Sequence, residues 1–161
     1  MSAAEYRPGI DARLQEGVQR GQVHEHSWNE SKAYPGTHRS FWVYVPHGHD
    51  GSKPANLMVF QDGGGFVRDK GHTRVPIVFD NLISRKALPP TVGIFVNPGI
   101  IPGAEKDRQP RRNRAFEYDT VSTDYANFLI DEIIPFAVKT HNLNLSENPA
   151  RRAICGNSSG G

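Results

Sequence analysis

The chain has 161 residues, with 19 Lys and Arg against 17 Asp and Glu for a net charge of +2, and 37% of its residues are apolar. That is one domain's length with an ordinary globular composition, which excludes a disordered tail, a fibre and a wholesale polyanion-binding surface. No apolar run approaches the roughly 18–20 residues of a membrane span. The single cysteine, Cys155, excludes an internal disulfide framework and a multi-cysteine zinc site. The first residues show no basic segment followed by an apolar stretch, so no secretory signal is visible and a cytoplasmic location is the expectation.

In chain order, residues 1–20 read as a surface lead-in with one short helical turn at 11–16. Residues 22–28 alternate weakly, as an edge strand does. After the turn at Tyr34-Pro35-Gly36, residues 39–46 are dense in aromatic and β-branched side chains and read as a strand. Residues 47–55 carry turn chemistry, and 56–61 form a continuous apolar run typical of a strand buried on both faces. The spacing of Phe79, Leu82, Ile83 and Ala87 predicts a helix over 76–88, started by Pro76 and stopped by Pro89-Pro90. Residues 91–97 read as another buried strand and 98–119 as a long polar loop. A helix follows over 123–140, with Pro135 expected to kink or shorten it, and a short strand at 151–155 leads into Gly156. Strand, strand, helix, strand, helix, strand is the alternation of an α/β architecture with a mainly parallel sheet.

Two glycine tracts fall just after strand ends, the edge where open α/β sheets bind ligands. Gly156-Asn157-Ser158-Ser159-Gly160 fits G-x-S-x-G, in which a serine sits on a sharp strand-to-helix turn and small residues on either side let the backbones pass. Gln61-Asp62-Gly63-Gly64-Gly65-Phe66 follows a buried strand at the place that supplies one backbone donor to an oxyanion hole, the other coming from the residue after the nucleophile. Those donors are Gly64, or Gly63, and Ser159. Neither tract ends in the G-K-[S/T] of a phosphate-binding loop.

These residues give the chain a resemblance, over about 15–161, to an esterase family of α/β-hydrolases. It contains enterochelin esterases, feruloyl and acetyl-xylan esterases, S-formylglutathione hydrolase and the mycolyltransferases. The resemblance rests on Ser31 to Arg39, Trp42 to Pro46, Val59 to Gly63, Arg114 to Asp119 and Ile154 to Gly161, and is greatest to the enterochelin-esterase branch. It implies a Ser-His-Asp/Glu hydrolase of carboxylic esters, with Ser158 as nucleophile and the amides of Gly64 and Ser159 as oxyanion hole. In this fold the acid and the histidine follow the serine, and neither is among these residues. Residues 21–161 are therefore expected to be the N-terminal portion of one domain, with an exposed sheet edge at 152–156 or other polypeptide packed against it. The competing expectation is a non-catalytic ligand-binding relative or an inactive fragment.

Of the seven histidines, His24, His26, His47, His49 and His141 read as surface residues, and His38 and His72 remain as loop candidates for an unusual base. The i,i+2 histidine pairs lack a third ligand, so no metal or other cofactor is expected. The tract from Lys106 to Arg114 holds five basic residues and one acid. It is either a solvated loop or a contact for an anionic small-molecule ester through Arg111, Arg112, Arg114 and Glu117. Arg114 and Glu117 pairing with each other is the structural alternative. No aromatic interleaving supports nucleic-acid binding.

Overall fold

The structure, a computed structural model, describes residues 7–103 and 110–161. Residues 106–109 of the basic tract lie outside that set. Strands β1 (Gln22–Trp28), β2 (Arg39–Val45), β3 (Asn56–Gln61), β4 (Thr91–Val96) and β7 (Arg152–Cys155) form one sheet in the order β1-β2-β4-β3-β7. The β1/β2 and β2/β4 pairings are antiparallel, whereas β3/β4 and β3/β7 are parallel. The sheet is thus mixed among the described residues, with its parallel half carrying both glycine tracts.

Burial on both faces explains the uninterrupted apolar runs of the central strands. All six residues of β4 are buried. Phe41, Val43, Leu57, Val59, Val92 and Ile94 face one layer, where they meet Phe128, Ile133 and Ala137. Tyr44, Phe60 and Phe95 face the other, against Phe79 and Val75 of α1 (Val75–Ser84). Helix α1 ends earlier than its spacing predicts, because Lys86 turns left-handed before the two prolines. The lead-in forms a single turn at Ile10–Ala12 and is tied to α1, where Asn81 Nδ2 donates to the carbonyls of Asp11 and Arg13, each at 2.8 Å.

Pro135 acts as its chemistry requires. The helix is divided into α3 (Asp124–Asn127), a wide π turn over Phe128–Ile133, and α4 (Ile134–His141) with Pro135 in its first turn. Proline has no N–H for the i→i−4 bond, and a widened turn accommodates the gap. Asn142, left-handed at φ 49°, closes α4.

The expected polar loop at 98–119 is the largest departure. It contains a small antiparallel pair, β5 (Ile100–Ile101) with β6 (Arg111–Arg112), and a helix, α2 (Arg114–Tyr118). On the far side, β7 pairs only with β3 among the described strands, and Arg152, Ala153 and Ile154 are exposed, Ile154 at 58%.

Candidate active site

Because β3 and β7 are parallel neighbours with Phe60 opposite Cys155, the turns that follow them emerge side by side. At the end of β3, Asp62 takes a left-handed backbone (φ 54°) and starts the turn Gly63–Gly65. A Cβ on Gly63 would stand 2.3 Å from the Phe95 carbonyl carbon, so only glycine lets this turn ride over β4. The Gly64 N–H donates to Asn97 Oδ1 at 2.9 Å.

At the end of β7, Ser158 is left-handed as well, at φ 57°. For a non-glycine residue this is a costly conformation that the surroundings must hold. Here the surroundings are visible: a Cβ on Gly156 would lie 1.5 Å from the Gly160 carbonyl oxygen. The first and last glycines of the pentapeptide touch, and the serine between them is pushed out into solvent. Gly160 in turn lies against the first turn, where a Cβ would stand 3.1 Å from Asp62 Oδ2. Ser159 lines a cleft of about 370 Å³ with Gln61, Tyr118, Tyr125 and Cys155. Burial pushes the phenols of Tyr118 and Tyr125 up, so both are neutral donors at ordinary pH.

Helix α2, which the sequence reading missed, joins these turns. Arg114 Nε lies 2.9 Å from Asp62 Oδ1 and Nη2 donates to Oδ2 at 2.7 Å, while Nη2 also reaches the Asn157 carbonyl at 3.2 Å. The hydrogen bond to Asp62 holds the guanidinium further toward its charged form. Tyr118 Oη accepts from the Asp62 N–H at 3.2 Å.

The charge-run residues separate into two groups. Glu117 is fully buried and accepts from Arg39 Nη1 at 2.7 Å and Nη2 at 3.0 Å, from Gly99 N at 3.1 Å and from Asn113 Nδ2 at 2.9 Å. Its carboxylate is committed inside the protein. It does not pair with Arg114, whose partner is Asp62, so the expected mutual pair is not formed, and burial corrects the expectation that Glu117 contacts substrate. Arg111 and Arg112 are exposed on β6.

Three of the histidines, His24, His26 and His141, lie together and the others are apart from them. His24 and His26 lie on β1, at the opposite edge of the sheet from β7, and His26 Nε2 is 2.9 Å from His141 Nε2. His47 and His49 follow β2 at the other end of the parallel strands. The backbone of His38 exchanges bonds of 2.8 Å with Ile100, and His72 lies in the segment between the Gly63 turn and α1. Among the described residues no group of three or more His, Cys, Asp or Glu side chains could hold a metal ion, and no helix is long and apolar enough to cross a membrane.

The family model described as "Putative esterase" matches residues 31–161, which include both turns and α2. The chain belongs to this esterase family. No curated protein matches it. Among solved structures it is similar to a ferulic acid esterase, AmCE1/Fae1A, from the anaerobic fungus Anaeromyces mucronatus (TM-score 0.67, 21% identity, covering 96% of this chain and 56% of that one). It is also similar to a variant of the feruloyl esterase module from Clostridium thermocellum complexed with sinapinate (TM-score 0.61, 19% identity, 99% and 53% covered). A third similar structure is the enterobactin and salmochelin hydrolase IroE (TM-score 0.56, 19% identity, 90% and 55% covered). The fold is that of the α/β-hydrolase esterases, and the chain spans a little over half the length of these members.

Proposed function

We propose that the natural protein is a serine esterase that hydrolyses carboxylic esters of small molecules through an acyl-enzyme on Ser158. The observation that carries this is the left-handed Ser158 at the end of a parallel strand, exposed between two glycines in contact. A hydroxyl so placed has space around it for a tetrahedral centre, which a serine within a strand or helix lacks.

In the proposed reaction Ser158 Oγ bonds to the ester carbonyl carbon as its proton passes to a base, and the carbonyl electron pair moves onto oxygen. The oxyanion takes hydrogen bonds from the N–H groups of Ser159 and Gly64, a contribution of about 3–4 kcal/mol for one well-placed donor. The Gly64 N–H donates to Asn97 Oδ1 at 2.9 Å, a bond that the oxyanion would replace. Collapse of the tetrahedral species breaks the ester C–O bond, and the departing alcohol takes the proton from the base. Water then repeats the sequence on the acyl-enzyme and frees the acid. The base and its orienting acid belong after the serine in this fold. The open side of β7 is where we place the polypeptide that carries them, either a following segment or a partner chain.

Arg111 and Arg112 are the contacts proposed for an anionic substituent on the substrate, since both are exposed. An anionic ester of the enterochelin-esterase kind is the substrate class we propose for them, and the enterobactin and salmochelin hydrolase IroE has a similar fold. Hydrolysis of p-nitrophenyl acetate and labelling by a fluorophosphonate test the proposal on the full natural protein. Both are expected to vanish in Ser158→Ala. Retained turnover in that variant would remove Ser158 from the mechanism.

A further inference from the structure

The two donors of the proposed oxyanion hole belong to different turns, on segments far apart in sequence. Both must lie within about 2.7–3.1 Å of one oxygen at the same moment. Something has to set the position of one turn relative to the other, and strand pairing stops short of both, at Gln61 and Cys155.

We propose that Arg114 is the positioning residue that locks the glycine turn after β3 to the turn that presents Ser158; the inference rests on the reading of Ser158 as nucleophile. One guanidinium joins the residue that opens the first turn to the residue that precedes the serine. Nε and Nη2 grip the Asp62 carboxylate as a fork at 2.9 and 2.7 Å, and Nη2 also donates to the Asn157 carbonyl at 3.2 Å. Both turns start at left-handed residues, Asp62 and Ser158, which persist only where neighbours hold them. Asp62 is held from a second direction by Tyr118, whose hydroxyl accepts its N–H, and the Arg114 guanidinium lies 5.3 Å over the Tyr118 ring. The far side of α2 is anchored through buried Glu117 to Arg39 and to Gly99 N, so the helix is a strut with a fixed base.

The chemistry selects arginine. A planar fork satisfies both carboxylate oxygens and keeps a donor for the carbonyl, whereas a lysine ammonium is a point charge without that geometry. With Asp62 neutralising it, Arg114 differs from Arg111 and Arg112, which carry exposed charge on β6. Its loss is therefore read in kcat, because the donors move relative to the transition state, with little change in KM.

The test uses the full natural protein with Arg114→Ala and Arg114→Lys. It is assayed on a neutral p-nitrophenyl ester and on one bearing a carboxylate, with fluorophosphonate labelling in parallel. Arg114→Ala is expected to lower kcat and the labelling rate about 10–100-fold, as a displacement near 1 Å does, on both esters alike and with KM nearly unchanged. Millimolar guanidinium chloride should restore part of the loss, and Arg114→Lys should recover only part of it. Wild-type kcat in Arg114→Ala, or a KM rise confined to the carboxylated ester, overturns the inference, the latter making Arg114 a substrate contact. Should Arg114→Ala fail to fold, Arg114→Lys decides, and wild-type kcat there overturns it equally. Absence of labelling in the wild-type protein instead refutes the reading of Ser158 and leaves no site to position.

Discussion

Replacing Gly156 by alanine tests the geometry of the serine turn more directly than any change at the serine itself. The added Cβ would start 1.5 Å from the Gly160 carbonyl oxygen, and side-chain carbons do not approach closer than 3.0 Å, so the turn must open by about 1.5 Å. The obstructing atom is backbone and cannot rotate aside. A misplacement of about 1 Å at a reacting group costs on the order of 100-fold in rate, so kcat for p-nitrophenyl acetate is expected to fall at least that far. Overpacking of this kind destabilises by about 1–3 kcal/mol, visible in thermal unfolding. Gly65 supplies the control, because a Cβ there meets nothing within 4 Å and its backbone is not left-handed. Gly65→Ala is expected to keep kcat within about 2-fold, in line with a surface change outside any special feature. Wild-type turnover in Gly156→Ala, or an equal loss in both variants, would refute the argument that contact of Gly156 with Gly160 shapes the site.

Glu117→Gln leaves the Arg39 guanidinium buried without its counter-charge. Breaking a buried pair from one side costs about 3–5 kcal/mol, or roughly 6–20 °C in the unfolding midpoint; an unchanged midpoint would show that α2 is not anchored there. The histidines predict an acid-dependent stability. Burial first, and the neighbouring His24 charge next, hold His26 and His141 below the ordinary histidine value. Their protons therefore bind the unfolded chain more readily, so stability is constant above the unfolded pKa of about 6.5 and falls as the pH drops below it. Unfolding midpoints measured between pH 8 and 5.5 should show this decline in the wild type and a shallower one in His26→Gln, and identical slopes would exclude the pair as its source.

The strands at 22–28, 39–45, 56–61, 91–96 and 152–155 were legible because burial on one or both faces leaves a local signature of alternation or continuous apolar sequence. The glycine tracts were legible for a different reason: close backbone approach admits only one residue type, so Gly63 and Gly156 announce the contact. Helix α2 left no such mark. Five residues cannot hold a helix in water, and Arg114–Tyr118 is formed by partners at Arg39, Asp62 and Gly99 that no window of sequence contains. The association of His141 with β1 is equally non-local, and a reading of each histidine in its own segment leaves them apart.

The same non-locality changes the meaning of the basic tract. Read as a run of charge, residues 106–114 point to an anionic ligand as a whole. Position divides them: the Arg114 charge is met by Asp62, while Arg111 and Arg112 sit opposite Ile101 and Ile100 on an exposed two-stranded ribbon. An ion-pair partner lowers the field a ligand would feel from Arg114, and exposure leaves that of the other two available, though screened by salt. Recognition of an anion would thus fall on β6 and geometry on α2, two roles that one stretch of sequence carries and that substitution at Arg112 and at Arg114 separates, the first moving KM for charged esters and the second kcat for all of them.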